Sequence, residues 1–206
     1  MRGLTMINAT VKLNSFVQIP KLYWRGTNTG SSNNVSDSPR EKALKFHRNR
    51  LIAWAKKHGS DKYDIGFTGL VQGDGHLSLE LMGGQLLPSQ SASEAFKHKY
   101  LLVIDGNAAA TRLTPFLCSS SLVFLVQGMD EWFYDRIKPW IHYIPVALDF
   151  SDLEERVQWA LDNEWEAQAI VRRANRAVRQ ETRQEDMDCY WFRFLLEYGS
   201  LMKVDT

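Results

Sequence analysis

The sequence predicts an α/β domain in which helices flank a mainly parallel, Rossmann-like sheet. Two short, continuous apolar runs, residues 100–104 (YLLVI) and 122–126 (LVFLV), have the form of strands that are buried on both faces. Helical patterns alternate with these and other strand-like segments, and such alternation is typical of parallel sheets. Ligands of such sheets bind beyond the carboxyl ends of the strands, so a site is expected at that edge.

The first part of the chain predicts a strand, a polar loop, a helix and a second strand. Residues 21–24 (KLYW) form the first strand, and the composition of residues 27–38 is that of a loop. A capping box, followed by apolar residues at helical spacing, predicts a helix over residues 38–59. The next strand is expected over residues 63–70 (YDIGFTGL).

Short elements are expected around the two buried strands, and helices are expected after them. In chain order we expect a helix over 91–98, a helix over 108–117, a helix over 130–138 and a strand over 140–148. Two further helices begin near Ser151 and Asn163, each with a glutamate three residues later. The last helix has an apolar face that is expected to join the core, made of Met187, Tyr190, Trp191, Phe194, Leu195, Tyr198 and Leu201.

Composition excludes some classes of function and leaves others open. The 206 residues carry a formal net charge of +1, so no global charge favours nucleic acid or an anionic membrane. The chain has no run of about 18–20 consecutive apolar residues, and residues 1–17 lack the apolar core of a signal peptide. Two cysteines, Cys118 and Cys189, do not make a disulfide framework, so the redox compartment stays open.

The segment 104–112 (IDGNAAATR) is the first candidate binding site. A buried strand ends there, a turn follows, and small residues open a predicted helix whose first N–H groups would attract an anion. Arg112 adds a planar fork of donors that suits a diphosphate. A tight turn with a surface arginine is the alternative. The candidate residues are Asp105, Gly106, Asn107, Ala108, Ala109, Ala110 and Arg112.

A second candidate lies after the first strand, where an arginine precedes glycine and hydroxyl side chains. Arg25, Gly26 and Thr27 could wrap a phosphate, and Arg40 lies at the predicted start of the next helix, where it opposes the helix dipole. A polar loop with a solvated arginine is the alternative here. The pair Asp186 and Asp188 resembles metal-binding carboxylates, but acidic residues at a helix start are explained by the helix dipole. No metal site is therefore expected.

Several segments together resemble glycosyltransferase family 90, the capsule-associated and Rumi-like enzymes. The resemblance extends over about residues 18–203, and the sequences of these segments are most similar to the fungal capsule-associated xylosyltransferase branch. The animal branch contains protein O-glucosyltransferases. The segments that carry it are 23–26 (YWRG) with Thr29 and Gly30, 99–112 (KYLLVIDGNAAATR), 132–146, and 185–187 with Tyr190 and 196–198.

The resemblance implies the C-terminal, donor-binding half of a two-domain GT-B glycosyltransferase. Residues 18–206 would bind UDP-xylose or UDP-glucose without a metal, and residues 1–17 would be an N-terminal extension, in origin a remnant. Arg25 and Arg112 would hold the diphosphate, with Arg40 as a further contact. The acceptor would be a glycan or protein hydroxyl, a separate N-terminal domain would be a partner, and nucleic acid would not. The family implies the lumen or membrane of the endoplasmic reticulum or Golgi, which the chain itself does not indicate.

Two departures from the family pattern bear on activity. Thr111 stands where the family's fungal branch has glycine, and its side chain would narrow the approach to the diphosphate. The family's acidic general base lies in an N-terminal domain, and no residue of this chain matches it. Three functions are therefore compared: an active glycosyltransferase, a domain that binds nucleotide-sugar without transferring it, and a nucleotide-binding regulator outside carbohydrate chemistry.

Overall fold

Five parallel strands form one sheet with helices on both faces, which confirms the predicted α/β fold. The computed structural model describes residues 18–30, 44–59, 61–73, 75–81 and 83–202. The strands are β1 (Ile19–Thr27), β2 (Tyr63–Gly69), β3 (His98–Ile104), β4 (Leu122–Val126) and β5 (Ile144–Pro145). The helices are α1 (His47–His58), α2 (Gly75–Leu81), α3 (Ala92–Ala95), α4 (Leu113–Leu117), α5 (Leu153–Asp162), α6 (Glu164–Glu181) and α7 (Gln184–Leu201), with a 3-10 turn at Tyr134–Arg136.

The sheet separates two apolar cores, and β3 contributes to both. Leu102 and Ile104 point into the first core, whereas Leu101 and Val103 point into the second, and all four side chains are almost completely buried. This alternation explains why the strand is a continuous apolar run, because neither of its faces meets water. The prediction that residues 100–104 and 122–126 are buried strands is confirmed.

The strand order β2-β1-β3-β4-β5 creates a switch point between β1 and β3. The chain leaves β1 through α1, which packs in the first core through Leu51 and Ile52. It leaves β3 through α4, which packs in the second core through Leu113 and Phe116. Because the two connections depart to opposite faces of the sheet, a crevice opens between them at the carboxyl ends of β1 and β3.

Two predicted helices differ from expectation near their starts. The helix expected over 108–117 begins only at Leu113, because the carboxylate of Asp105 accepts the Ala110 N–H at 2.9 Å and holds the preceding residues in a loop. The helix expected over 38–59 is not continuous, since Phe46 has extended backbone (ψ 113°) and α1 begins after it. Its predicted start at residues 38–43 lies outside the described residues.

The segments around β4 and β5 also differ from expectation. The strand predicted over 140–148 is reduced to β5, because Trp140 has a φ of 63° and Pro145 has no N–H to donate to a neighbouring strand. The helix expected over 130–138 is reduced to the 3-10 turn at Tyr134–Arg136. The helix expected over 91–98 is reduced to α3, and His98 already belongs to β3.

The predicted core face of α7 is wrong, because that face is exposed. Tyr198 is 55% exposed and Leu201 is 80% exposed, and Trp191, Phe194 and Leu195 are exposed as well. The helix contacts the rest of the domain near its start, where Tyr190 stacks on Trp132 at 5.4 Å between ring centroids. Helical periodicity identifies an apolar face, but it does not say what covers that face. None of the helices in the described part of the chain is both long and apolar enough to cross a bilayer.

Candidate functional site

A cleft of about 420 Å³ lies at the carboxyl edge of the sheet, beside the switch point. This volume is within the range of small-molecule sites, which is about 300–1,000 Å³. Four groups of residues line it: Gly30 after β1; Lys45, His47 and Arg50 around the start of α1; Ile104, Asp105, Gly106 and Asn107 at the end of β3; and Val126, Gly128, Met129 and Leu148 near β4 and β5.

The α1 side of the cleft is basic. The first turn of α1 reads His-Arg-Asn-Arg and contains no acid. Phe46, which precedes it, has no polar atom with which to cap the helix. Lys45, His47 and Arg50 surround this end, where the helix dipole already contributes partial positive charge. Arg50 is held there by donating to the carbonyls of Leu44, Lys45 and Leu148. Cations at a helix start are unfavourable by themselves, and their position beside the cleft would suit an anionic ligand.

Arg48 is buried directly behind the cleft and connects the two strand ends. Its Nη1 donates to the Thr27 carbonyl at 3.1 Å and to the Thr29 hydroxyl at 2.6 Å, both after or at the end of β1. Its Nε donates to the Asp105 carbonyl at 2.9 Å and its Nη2 to the Ile104 carbonyl at 3.1 Å. Burial, and secondarily the nearby charge of Arg112, lowers the pKa of Arg48 to about 10, so it is a cation at neutral pH.

The carboxylate of Asp105 joins the loops that follow β3 and β4. One oxygen accepts the Ala110 N–H at 2.9 Å, and the other accepts those of Gly128 at 2.9 Å and Met129 at 3.0 Å. The side chain is therefore occupied by three backbone donors, and the residue is 3% exposed. Asp105 was predicted to be a ligand contact, and the structure gives its carboxylate a role in shaping the loops of the site.

Two glycines allow the loops after β1 and β3 to approach each other. Gly30 has a φ of +89°, and a Cβ there would overlap the ring of His47. A Cβ on Gly106 would lie 2.9 Å from the Thr29 hydroxyl and 3.0 Å from Arg48 Nη2. Asn107 completes the contact by accepting the Gly30 N–H at 2.9 Å. Backbone at both positions therefore reaches the wall of the cleft without a side chain in between.

His47 is held in one tautomer by the backbone. Its Nε2 lies 2.6 Å from the carbonyl oxygen of Asp105, so Nε2 carries the proton and donates it. Burial lowers the pKa of His47 below its ordinary value, an effect that the Asp105 carbonyl opposes and the neighbouring Arg48 reinforces. The imidazole is therefore neutral at pH 7 and adds a hydrogen-bonding ring, rather than a charge, to the basic side of the cleft.

Several predicted site residues lie beside the cleft rather than in its lining. The Arg25 side chain is 10% exposed, and its guanidinium pairs with Asp64 at 2.5 Å, on the β2 side of β1. Arg112 Nη1 donates to the Arg25 carbonyl at 2.6 Å. A Cβ on Gly26 would lie 2.8 Å from the ring of Trp24, so this glycine serves packing. Thr27 offers its carbonyl to Arg48.

The remaining predicted residues divide between the β3 loop and the undescribed part of the chain. Gly106 and Asn107 line the cleft with Asp105, as expected from the end of a central strand. Ala108, Ala109 and Ala110 lie in the loop that precedes α4, and Arg40 lies outside the described residues. That any of these residues contacts a ligand stays a prediction.

Sequence reasoning missed the basic residues around α1. Lys45, His47, Arg48 and Arg50 form a run of four cationic or titratable residues within six positions (KFHRNR). Such a run at the start of a helix that follows the first strand was a usable signal, but the predicted helix start at residue 38 placed it in mid-helix. The apolar residues near β4 and β5 carried no comparable signal.

Asp186 and Asp188 both have hydrogen-bond partners near the start of α7. Asp186 caps α7 by accepting the Arg183 N–H at 3.0 Å, and Asp188 accepts from Gln184 at 2.8 Å. Within the ranges described above, no cluster of three or more histidine, cysteine or acidic side chains has the arrangement to hold a metal. The structure thus gives Asp186 the helix-start role that its position indicated, whereas Asp188 lies beyond the first turn and bonds the Gln184 side chain.

Comparison with known proteins identifies the family. Residues 6–206 match the family model described as Glycosyl transferase family 90. The chain belongs to this family. This family 90 chain is 36% identical over 123 residues to protein O-glucosyltransferase 2 of Danio rerio, a segment that covers 59% of this chain and 25% of that protein. It is 39% identical over 113 residues to protein O-glucosyltransferase 1 of Homo sapiens, covering 53% and 28%, respectively.

The family 90 chain therefore spans about a quarter of the length of these curated relatives. A viral protein, uncharacterized protein 027R of Frog virus 3, is 32% identical over 168 residues, which are 72% of this chain and 16% of that protein. Among solved structures, the crystal structure of TarM superimposes with a TM-score of 0.55 at 12% identity, covering 87% of this chain and 36% of that chain. At this identity the likeness establishes the fold, and it agrees with the predicted Rossmann-like sheet.

Proposed function

We propose that the cleft binds a nucleotide-sugar, so that the chain is the donor-binding part of a family 90 glycosyltransferase. The observation that carries this proposal is the pairing of a switch-point crevice with a basic helix start. The cleft lies where parallel α/β sheets bind nucleotides, and Lys45, His47 and Arg50 surround the start of α1 on one side of it. A diphosphate is the part of a nucleotide-sugar that such a surface would recognise.

The two sides of the cleft fit the two chemical parts of such a ligand. The α1 side is cationic, and we place the diphosphate there. The part near β4 and β5 contains Val126, Met129 and Leu148, whose apolar surfaces suit the flat face of a base or the carbon-rich face of a sugar. Arg50 joins the two parts, since its Nη2 donates to the Leu148 carbonyl at 3.1 Å. For Arg25 or Arg112 to join the diphosphate, each guanidinium would first have to leave its partner, Asp64 or the Arg25 carbonyl.

The proposed donor is UDP-glucose or UDP-xylose. The names of the animal relatives favour glucose as the sugar, whereas the residues of the sequence motifs favour the xylosyltransferase branch and therefore xylose. The two sugars differ by one hydroxymethyl group, which is distinguished by pocket shape. We propose that the acceptor is a glycan or protein hydroxyl, that binding needs no metal, and that the enzyme acts in the lumen of the endoplasmic reticulum or Golgi.

One observation favours binding without transfer as a second candidate. Sugar transfer to a hydroxyl needs a base within hydrogen-bond reach of that hydroxyl. Among the described residues that line the cleft, Asp105 supplies the carboxylate, and three backbone donors already occupy it. In this second candidate the chain supplies the donor site, and a base for the transfer would come from outside the described lining, such as a separate N-terminal domain.

Isothermal titration of the chain with UDP, UDP-glucose and UDP-xylose, in buffer that contains a chelator, tests the proposal. We expect micromolar binding of UDP, with one of the two sugars preferred. A folded chain that binds none of the three would refute the donor site, and binding that appears only when manganese is added would refute metal independence. Hydrolysis or transfer of the sugar, monitored by the release of UDP, would distinguish an active enzyme from a domain that only binds the donor.

A further inference from the structure

Arg48 connects the two strand ends that meet at the switch point. It is the second residue of α1 and is 7% exposed. All three guanidinium nitrogens donate, and the acceptors are the carbonyls of Thr27, Ile104 and Asp105 and the hydroxyl of Thr29. One set of acceptors belongs to the exit of β1 and the other to the exit of β3. A single planar group therefore fixes the spacing between the two loops.

The guanidinium lies behind the wall of the cleft, in contact with the backbone that forms it. The Cβ position of Gly106 is 3.0 Å from Arg48 Nη2, so the loop after β3 packs directly on the arginine. On another side, Arg48 Cζ lies 5.6 Å from the centroid of the Trp24 ring, which restricts the plane of the fork. The guanidinium nitrogens donate to protein oxygens, and the segments that they hold continue into Gly30, Gly106 and Asn107, which line the cleft.

We propose that Arg48 is a positioning residue for the donor diphosphate: it holds the loops after β1 and β3 at the separation in which their backbone faces the ligand. This inference rests on the proposed function. Lysine cannot replace the arginine, because an ammonium is a point donor and cannot serve acceptors on both loops in one plane. The charge of Arg48 is a separate contribution, and Arg48→Lys keeps it.

The test compares UDP with uridine in the wild-type chain, in Arg48→Lys and in a matched core variant. Val178→Ala is the matched control, since Val178 is 2% exposed in the second core, on the sheet face opposite to that on which α1 packs. We expect Arg48→Lys to weaken UDP binding by on the order of tenfold to a hundredfold, the effect of misplaced positioning groups. Uridine has no diphosphate, so its affinity should change less than about twofold, well below the discrimination of a charged contact.

Amide chemical shifts distinguish a positioning role of Arg48 from a role in global stability alone, because a loss of global stability would not shift the signals of particular loop residues. In ¹H–¹⁵N spectra of the ligand-free chain, Arg48→Lys should shift the signals of Gly30 and Gly106 and leave that of Gly199 in place. Val178→Ala should leave all three unchanged. If Arg48→Lys does not fold, Thr29→Val removes one acceptor of the guanidinium while retaining the shape of the side chain, and a several-fold loss of UDP affinity is expected.

The outcomes separate this inference from the proposed function. The positioning role would be overturned if Arg48→Lys bound UDP as tightly as Val178→Ala does. It would also be overturned if Arg48→Lys lost affinity for UDP and for uridine equally. Neither result would refute the donor site. A wild-type chain that binds neither ligand would refute the proposed function. The glycine signals would then still decide whether Arg48 sets the spacing of the loops, and unshifted signals would refute it.

Discussion

Asparagine at position 105 should destabilise the fold, because an amide cannot replace the carboxylate of Asp105. The carboxylate accepts N–H groups from Ala110, Gly128 and Met129. An amide offers one oxygen, so at least one of the three bonds is lost, and a hydrogen bond to a charged group contributes about 1.5–3 kcal/mol. Removing the negative charge also leaves Arg48 with less compensation. We therefore expect Asp105→Asn to lower the free energy of unfolding by about 2–3 kcal/mol.

Urea unfolding followed by circular dichroism measures this change, with Asp130→Asn as the control. Asp130 is an exposed aspartate in the next loop and accepts one bond, from the Gln127 side chain at 2.6 Å. Its replacement should cost less than about 0.5 kcal/mol, the usual effect at the surface. The midpoint of thermal unfolding should fall by about 4–12 °C for Asp105→Asn, at about 2–4 °C per kcal/mol. Equal stabilities of the two variants would refute the reasoning that the Asp105 carboxylate holds the loops.

Three other predictions concern the cleft. If Arg50 contacts the diphosphate, Arg50→Gln should weaken UDP binding by about 1.5–3 kcal/mol, and Arg112→Ala should have a similar effect if Arg112 does. Titration calorimetry measures the UDP affinity of each variant. An unchanged affinity would show that the substituted arginine is not part of the site. Because burial lowers the pKa of His47, the unfolded chain binds more protons below about pH 6.5, so stability should fall on acidification through that range. Urea unfolding at pH 5.5 to 7.5 should show that acidification lowers the free energy of unfolding less in His47→Gln than in the wild type. The same pH dependence of stability in both proteins would contradict this. Gly30→Ala should cost about 1–2 kcal/mol for its backbone conformation plus the displacement of the His47 ring. Gly84→Ala, at a φ of +84° with no atom within 4 Å of the added Cβ, should cost only the backbone contribution, so equal losses would refute the crowding at Gly30.

The sequence determined the class of the fold and one edge of the site. Continuous apolar runs identified β3 and β4, because a strand that is covered on both faces excludes polar residues. Asp105, Gly106 and Asn107 could be placed at the cleft since they follow a central strand of a parallel sheet. The family was also readable from the order of its motifs, and the family match over residues 6–206 confirms that reading.

Only the tertiary structure decided which polar groups face each other at the switch point. A strand pattern does not give the order of strands, so the sequence could not show that the ends of β1 and β3 are neighbours bridged by Arg48. It also could not show that Arg25 pairs with Asp64 of β2, since that contact joins residues 39 positions apart. In both cases a guanidinium is oriented by acceptors on adjacent strands.

The last helix also shows that a sequence pattern does not determine tertiary contacts. Its aromatic residues repeat at the spacing of a core-facing helix, and the sequence therefore predicts burial. In the structure Phe194 and Tyr198 stack on one another at 6.0 Å and remain exposed. Periodicity is a local property of one segment, whereas burial depends on a second surface that must be brought against it. The sequence by itself therefore determined which residues are apolar and at what spacing, and the tertiary structure decided which of those faces acquired a partner.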